Sequence, residues 1–236
     1  MKLSIIIPVY NEEKTILEVL DRVKKEVIPG VEKEMIVVDD CSTDSTRQKL
    51  KNIKGNDSKI IFHEKNGGKG AAVKTGIKNA TGDYIIIQDA DLEYHPKFIK
   101  DLIRPILEKK AEVVYGTRLN RMPHLRGEEA KHLFILHYLG NRFLSLVTSI
   151  LYGQWITDME TGYKLFPKKA LNNLKLNARG FEFEPEITAK LSKKGYKIKE
   201  ISISVKPRGY DEGKKLNTVR DGLKALWSLI KYRFSD

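Results

Sequence analysis

The sequence predicts an α/β protein with a doubly wound, mostly parallel sheet. Short runs rich in isoleucine and valine alternate along the chain with segments whose apolar residues recur at helical spacing. The runs are apolar at consecutive positions, as in strands that helices cover on both faces, and short loops join them to the helices. No linker, repeat or low-complexity segment interrupts the 236 residues, so we expect one domain over residues 1–236.

The expected elements follow in order along the chain. Five strands are expected in the first half, at residues 3–9, 35–38, 59–62, 84–88 and 111–115. Helices are expected between them: one capped by Asn11, one capped within residues 42–44, one over 71–79 and one from Pro96 to about residue 109. The second half predicts helices at 129–152, 182–194 and 219–234, and strands at 163–166 and 197–205.

Composition limits the classes of function. The net charge of +12 and the isoelectric point of about 9.5 indicate an anionic partner: nucleic acid, anionic lipid or a phosphorylated substrate. Aromatic residues do not interleave with the basic ones, so we expect no nucleic-acid partner. Cys41 is the single cysteine, which excludes an internal disulfide and fits a reducing compartment. The chain opens into a strand, so no signal peptide is expected, and no uncharged apolar run reaches the ~20 residues of a membrane span.

Acidic residues directly follow the fourth predicted strand. Asp89 and Asp91 are two residues apart, so in an extended chain their carboxylates point the same way, and Glu93 continues the spacing. Converging carboxylates repel one another unless a cation lies among them, and all-oxygen ligands suit Mg²⁺ or Mn²⁺ shared with substrate phosphates. The alternative is a solvated acidic turn. The metal site is favoured because ligands of open α/β sheets bind at the carboxyl ends of strands.

Two further strand ends carry polar loops. The first strand runs into the sequence PVYNE and the second into Asp39 and Asp40, and in a parallel sheet all these ends share one edge. The glycine-rich loop at residues 66–70 carries Lys69, and it could offer backbone N–H groups and an ammonium to a diphosphate. It matches neither a Walker loop nor a dinucleotide-binding fingerprint, and a plain turn is its alternative.

Four motifs together resemble the inverting family-two glycosyltransferases of the GT-A fold. They are IIIPVYNE at residues 5–12, VVDDCSTD at 37–44, NGGKG at 66–70 and DADL at 89–92, and the similarity is strong over about residues 1–120. Within the family the chain is most similar to the dolichol-phosphate mannose synthase and dolichyl-phosphate glucosyltransferase branches. Segments 116–118, 158–163, 180–182 and 206–208 are similar to later motifs of these branches, less specifically.

The resemblance implies a metal-dependent reaction. A hexose would pass from a nucleoside-diphosphate sugar, GDP-mannose or UDP-glucose, to a polyprenyl or dolichyl phosphate, with Mg²⁺ or Mn²⁺. Residues 1–118 would hold the donor and residues 119–236 the acceptor. The implied donor-binding residues are Pro8, Tyr10, Glu12, Asp40, Lys69, Asp89 and Ala90. The implied metal ligands are Asp89, Glu93 and above all Asp91.

The chemistry of the acceptor decides which other side chains are needed. A phosphate acceptor is already anionic near pH 7, so it needs cations to hold it rather than a strong base. The candidates are Arg118, Arg126, Lys206 and Arg208, each with a solvated surface cation as its alternative. Arg118 and Arg208 join Asp91 as the predicted catalytic residues. A hydroxyl acceptor, as in glycan synthesis, would instead require a carboxylate base, for which Glu160 and Glu182 are the candidates.

Two helices bear on membrane contact. In the first, a polar stripe lies beside an apolar face: His137, Asn141, Ser145 and Ser149, and Leu136, Leu139, Phe143, Val147 and Ile150. In the second, an apolar face lies beside a basic one, with Trp227 at the boundary: Val219, Leu223, Leu226, Ile230 and Phe234, and Arg220, Lys224 and Lys231. Packing on the core is the ordinary interpretation of such stripes, and contact with an anionic membrane surface is the other.

With the resemblance, we expect an enzyme peripherally bound at the cytoplasmic face of a membrane. Whether a membrane-anchored partner subunit holds it there is left open. A sugar-nucleotide pyrophosphorylase is a competing enzyme class, but its glycine-rich loop after the first strand is missing, since that strand leads to Pro8 and Tyr10.

Overall fold

The computed structural model describes residues 1–53, 58–119, 132–206 and 218–235. Its strands are β1 (Lys2–Val9), β2 (Glu32–Asp39), β3 (Ser58–Phe62), β4 (Tyr84–Ile87), β5 (Val113–Thr117), β6 (Lys164–Pro167) and β7 (Ile198–Ser202). Its helices are α1 (Ile16–Lys25), α2 (Thr46–Lys51), α3 (Lys69–Asn79), α4 (Ile99–Leu107), α5 (His132–Tyr152), α6 (Phe183–Lys193) and α7 (Thr218–Phe234). Short 3₁₀ turns lie at Pro96–Phe98 and Lys168–Leu171.

The seven strands form one sheet in the order β3-β2-β1-β4-β6-β5-β7. β6 is antiparallel to β4 and β5, while the other pairings are parallel, so the predicted doubly wound, mostly parallel sheet is confirmed. From β1 the chain builds outward through β2 to β3 and then returns to the other side of β1 with β4. The direction of winding therefore reverses between β1 and β4, which is where open α/β sheets bind ligands.

Helices cover both faces of the sheet, as the non-alternating strands predict. Ile5 and Ile7 of β1 point into a core shared with α1 and α4. Ile6 points into the opposite core, shared with α3, α5, α6 and α7. Neighbouring residues at the centre of one strand thus fill two separate cores.

The first helix begins later than the sequence predicts. Asn11 is not its cap, because α1 starts only at Ile16 and Asn11 adopts a left-handed conformation with φ of 50°. Its amide instead binds the loop after β2: Oδ1 accepts from the backbone N–H of Thr43 at 2.8 Å. The residue holds two strand-end loops together rather than starting a helix.

Helix α5 turns its polar side toward the protein and its apolar side outward, the reverse of an ordinary surface helix. Its polar stripe faces the protein, where Ser145 Oγ accepts from Met159 N and Ser149 Oγ accepts from Ile156 N, both at 3.0 Å. The exposed side is apolar, and Phe143 is 55% and Ile150 73% exposed. Val147 packs on the core instead of joining the exposed face.

Helix α7 carries a second exposed apolar stripe next to α5. It contains Val219, Leu223, Trp227, Ile230 and Phe234. Leu226, expected on this face, packs on the core, and Trp227 takes its place at 66% exposure. None of the described helices is long and apolar enough to cross a membrane.

The close packing of α3 on β1 gives a test of the fold. A Cβ added at Gly76 would overlap Ile6 Cγ2, so Gly76→Ala should lower the free energy of unfolding by about 1–3 kcal/mol, measured by urea denaturation. Gly140→Ala is the matched control, because no heavy atom lies within 4 Å of its added Cβ. It should be neutral or stabilising by up to about 1 kcal/mol. Equal effects of the two substitutions would contradict the packing.

Candidate active site

The loops that follow β1, β2 and β4 meet at one edge of the sheet. In the register of the strands Val9 lies beside Asp39 and Ile6 beside Ile87, which brings the three strand ends together. The backbone N–H of Glu12 donates to Thr46 Oγ1 at 2.9 Å, and Thr15 Oγ1 donates to the carbonyl oxygen of Ala90 at 2.7 Å. The predicted convergence of these ends is therefore present, with Pro8 and Tyr10 on the same edge.

Asp40 organises the glycine-rich loop. Its buried carboxylate accepts the N–H of Gly67 at 2.9 Å and of Gly68 at 2.7 Å, and His63 Nδ1 lies 2.7 Å from Oδ1. The N–H groups of Gly67 and Gly68 are therefore used inside the protein, as in the plain-turn alternative, and contact of Lys69 with a diphosphate stays a prediction. The contact of Asp40 with a nucleotide base stays a prediction.

Lys69 begins α3 and bridges two acids. Its Nζ lies 2.7 Å from Asp89 Oδ1 and 3.2 Å from Glu184 Oε1. Burial disfavours the ammonium, but the charges of Asp89 and Glu184 outweigh it and hold the pKa of Lys69 above its ordinary value. The side chain is therefore a fixed cation within the site across the physiological pH range.

The acids after β4 do not converge as the spacing suggested. β4 ends at Ile87, and the chain then turns, with Leu92 at a φ of 64° and Asp91 Oδ1 accepting the N–H of Glu93 at 3.1 Å. Because the segment is not extended, alternate residues do not share a face. Within the described ranges no three His, Cys, Asp or Glu side chains are placed together to hold a metal ion, and the three-carboxylate set of Asp89, Asp91 and Glu93 stays a prediction.

A metal site with fewer protein ligands fits this turn. Asp91 is partly exposed at the carboxyl edge, and its carboxylate is a hard oxygen ligand. Mg²⁺ and Mn²⁺ commonly take one or two carboxylates and fill the other positions with substrate phosphates and water. Asp91 as principal ligand therefore remains a prediction, while Asp89 is held by Lys69.

Arg118 follows β5 and pairs with a buried acid. Its Nε lies 2.7 Å from Asp158 Oδ2 and its Nη2 2.7 Å from Oδ1. Burial disfavours the guanidinium charge, yet Asp158 raises the pKa of Arg118 further above its already high value. The guanidinium also lies over the ring of Tyr94, 5.8 Å from its centroid.

Of the other predicted acceptor cations, the described part of the chain contains Lys206. Lys206 is exposed, and its backbone N–H donates to Glu93 O at 3.2 Å, which sets it beside the acidic turn. Arg126 and Arg208 lie outside the described residues. Of the four, Arg118 and Lys206 thus reach the same edge of the sheet.

The two candidate bases differ sharply. Glu182 Oε1 accepts the N–H groups of Arg179 at 3.1 Å and Gly180 at 3.0 Å, so its role is to shape that turn. Among the described residues Glu160 Oε1 has no hydrogen-bond partner although it is buried, and burial raises the pKa of Glu160 to about 7. Of these two, Glu160 has the carboxyl group suited to exchanging a proton near neutral pH, since the pKa of Glu182 is lowered.

Comparison with known families agrees with this geometry. Residues 4–174 match the model of glycosyl transferase family 2. The chain belongs to this family. A 31% identical relative of this glycosyltransferase, from Methanococcus voltae, is named UDP-N-acetylglucosamine–dolichyl-phosphate N-acetylglucosaminyltransferase, and the match covers 96% of the chain and 94% of the relative. An uncharacterized protein of Methanocaldococcus jannaschii is also 31% identical, over 97% of the chain and 91% of that protein.

Solved structures share the fold of this glycosyltransferase. Glucosyl-3-phosphoglycerate synthase of Mycobacterium tuberculosis, crystallised with Mn²⁺, UDP and phosphoglyceric acid, superposes with a TM-score of 0.74. The identity is 21%, over all of this chain and 79% of that one. The same synthase has been crystallised with Mg²⁺ and UDP. At this identity the likeness is one of fold, and it supports the GT-A architecture that the sequence predicts.

Sequence reasoning missed two charged residues of the glycosyltransferase site. Glu184 lies in the first turn of α6 and Lys164 at the start of β6, and both are buried. Lys164 Nζ lies 2.8 Å from Glu184 Oε2 and donates to Met159 O at 2.7 Å and Thr161 O at 2.6 Å. A charged residue inside an apolar helix or strand pattern was the available signal, but it does not say where the partner lies.

The raised pKa of Glu160 predicts a pH-dependent stability. The folded enzyme retains this proton up to about pH 7, so ionisation costs stability as pH rises from about 4.5 to 7. Glu160→Gln removes that cost. It should raise the free energy of unfolding relative to the wild type by about 1–3 kcal/mol at pH 8, and by much less at pH 4.5.

Urea unfolding at a series of pH values measures this difference. The control is Glu64→Gln at an exposed position, which should parallel the wild type. A gain in stability that is equal at every pH would show that Glu160 does not titrate in this interval.

Proposed function

We propose that this glycosyltransferase moves a hexose-type sugar from a nucleoside-diphosphate donor to a polyprenyl phosphate of the dolichyl type. The displacement is in line and inverts the anomeric centre. The first 118 residues bind the donor, and the remainder binds the acceptor and contacts the membrane. The enzyme acts at the cytoplasmic face of the membrane, with or without a membrane-anchored partner subunit.

The lipid-phosphate acceptor is supported first by the Methanococcus voltae relative. It is 31% identical over nearly the full length of both chains, and its name specifies a dolichyl-phosphate acceptor and a UDP-sugar donor. We therefore favour a uridine nucleotide over a guanosine nucleotide as the donor here, and UDP-N-acetylglucosamine joins UDP-glucose among the candidate donor sugars.

The reaction asks little of a general base. An oxygen of the acceptor phosphate attacks the anomeric carbon, the bond from that carbon to the donor diphosphate breaks, and the leaving nucleoside diphosphate takes the bonding electrons. Lys69 supplies a fixed positive charge near the leaving group, and Arg118 and Lys206 supply positive charge near the entering phosphate. Such charges, positioned before the reaction, lower the barrier without reorganisation.

A divalent cation completes the donor site. Asp91 would hold it together with the diphosphate, and when bound it would stabilise the negative charge that develops on the leaving group. The paired Asp89 orients the donor ribose rather than serving as a second principal ligand.

The observation that carries membrane contact is the outward apolar surface of α5 and α7, here called the apolar face. It consists of Leu136, Leu139, Phe143, Leu146 and Ile150 of α5 and Val219, Leu223, Trp227, Ile230 and Phe234 of α7. Exposed apolar surface of this extent is rare on proteins that remain in water. Lys224, Lys231 and Arg233 are exposed on the same helix α7, so charge favours anionic lipid as the occupant.

A hydroxyl acceptor is the second candidate function. Glu160 favours it, because a buried carboxyl with a pKa of about 7 is the group that would remove a hydroxyl proton. In a phosphate-accepting enzyme the same residue is dispensable for proton removal. Glu160→Gln therefore distinguishes the two functions.

The test offers the purified protein UDP-glucose, UDP-N-acetylglucosamine and GDP-mannose with Mn²⁺. A short polyprenyl phosphate or a soluble oligosaccharide serves as acceptor, and released nucleotide is measured. We expect transfer to the lipid phosphate, with Glu160→Gln retaining at least about a tenth of the rate. Transfer only to the oligosaccharide, with loss of about a hundredfold or more in Glu160→Gln, would support the second function instead.

Metal use is checked in the same assay. EDTA should stop transfer, added Mn²⁺ or Mg²⁺ should restore it, and Asp91→Asn should lower the rate by at least about a hundredfold while the fold is retained. Asp101→Asn, on the surface helix α4, is the matched control and should keep the wild-type rate. Persistence of more than a tenth of the activity in Asp91→Asn would argue against this residue as metal ligand.

Membrane contact predicts vesicle binding. The wild type should sediment with phosphatidylglycerol vesicles and dissociate only partly as salt rises, since salt screens the charges but not apolar insertion. The double variant Leu223→Ser/Trp227→Ser should lose the salt-resistant fraction. Leu17→Ser/Val27→Ser is the control, because these exposed apolar residues lie in and just after α1, against the opposite face of the sheet. If both double variants sediment like the wild type, the apolar face does not bind lipid.

A further inference from the structure

Asp89 and Glu184 both belong to one closed ring of contacts. Asp89 pairs with Lys69 at 2.7 Å, Lys69 with Glu184 at 3.2 Å, and Glu184 with Lys164 at 2.8 Å. Lys164 in turn donates to the carbonyl groups of Met159 and Thr161. One carboxylate from α6 thus contacts the start of α3 and the start of β6, and through Lys69 it is linked to the turn after β4.

The ring closes at Gly162. A Cβ built on this residue would overlap Asp89 Oδ2, so the backbone of the loop before β6 lies directly against the carboxylate. Asp89 is therefore held on one side by Lys69 and on the other by the loop that Lys164 anchors. Glu184 is a counter-charge for both lysines, for Lys69 in addition to Asp89.

We propose that Glu184 is a positioning residue for the donor site. It contacts no reacting group. It holds Lys69 against Asp89 and Lys164 against the 159–162 loop, so that the carboxylate and the ammonium are in place before the nucleotide arrives. This inference rests on the proposed function, because it assumes that Asp89 and Lys69 contact the donor.

Because these groups are buried, the charge of the single carboxylate of Glu184 affects both lysines. Lys164 and Glu184 are almost wholly buried, where an unpaired charge is costly and each lysine must keep an acceptor. Glutamine at position 184 keeps the shape but removes the charge. Among the described residues Lys69 then keeps Asp89 as its anionic partner, and Lys164 keeps two backbone carbonyls and the nearby Glu160 carboxyl.

The test measures nucleotide binding rather than transfer. Isothermal titration of the wild type with UDP and with GDP, each with Mn²⁺, identifies the nucleotide that binds. Glu184→Gln should weaken its affinity roughly ten- to a hundredfold, the range typical of residues that orient a ligand-binding group. Lys69→Gln should weaken it to a similar degree, and the two effects should be less than additive in the double variant, since part of the effect of Glu184 passes through Lys69.

Glu186→Gln is the matched control for a purely structural effect. Glu186 lies two residues along the same helix, is equally buried and pairs with Lys190 at 2.9 Å, but the backbone groups it accepts belong to residues 177 and 178. This variant should lose stability in thermal unfolding while keeping the wild-type affinity for the nucleotide. Should Glu184→Gln fail to fold, Glu184→Asp decides: weakened binding in a folded protein supports the proposal, and unchanged binding overturns it.

The outcomes of the titration distinguish a failure of the positioning role of Glu184 from a failure of the proposed function. If Glu184→Gln binds nucleotide as the wild type does, or if its effect adds to that of Lys69→Gln, the positioning role is overturned while the proposed function stands. If the wild type binds neither nucleotide, the proposed function fails and the positioning role with it.

Discussion

The need to pair buried charges dominates the edge of the sheet where β4, β5 and β6 meet the site. Three ion pairs lie there within a few residues of strand ends: Lys69–Asp89, Arg118–Asp158 and Lys164–Glu184. Each joins segments far apart in the chain. Removing one partner of a buried pair typically costs about 3–5 kcal/mol because the other charge is left uncompensated. The pairs therefore fix the relative positions of the loops as firmly as the hydrophobic cores fix the helices.

Much of the fold follows from local pattern. Isoleucine and valine runs without alternation required helices on both faces, and the two cores on either side of β1 meet that requirement. The same pattern located the strand ends and hence the edge that carries Asp40, Lys69 and Asp89. Periodicity could not give the direction of β6, because its antiparallel pairing with β4 and β5 depends on a connection of more than 45 residues from β5.

The detailed geometry of the site could not be predicted from the sequence, for a different reason. The spacing of Asp89 and Asp91 predicts a shared face only for an extended chain, and the left-handed Leu92 marks a turn instead. The glycine-rich loop offered N–H groups in principle, but Asp40 binds them. In both cases the partner is set by tertiary contacts that no local window contains, as with Glu184 and its two lysines.

The orientation of helix α5 follows from the same requirement that buried polar groups have partners. The loop between Gly153 and Tyr163 lies beneath α5 and its backbone N–H groups need acceptors, of which Glu200 of β7 supplies those for Thr157 and Asp158. Ser145 and Ser149 provide them for Met159 and Ile156, so the polar stripe must face inward. The other side of the helix is then left apolar and exposed, although the sequence stripes alone are equally compatible with the opposite orientation.

This arrangement links the apolar face to the chemistry. The loop that α5 holds with its inner side carries Asp158, the partner of Arg118, and Glu160. A bilayer that covers the outer side of α5 would therefore be separated from these residues by one helix diameter, about 10 Å. Such a bilayer would lie on the side of α5 opposite the loop that carries Asp158, the partner of Arg118. With a soluble acceptor, the outward apolar side of α5 would be exposed to water without any gain in the binding of that acceptor.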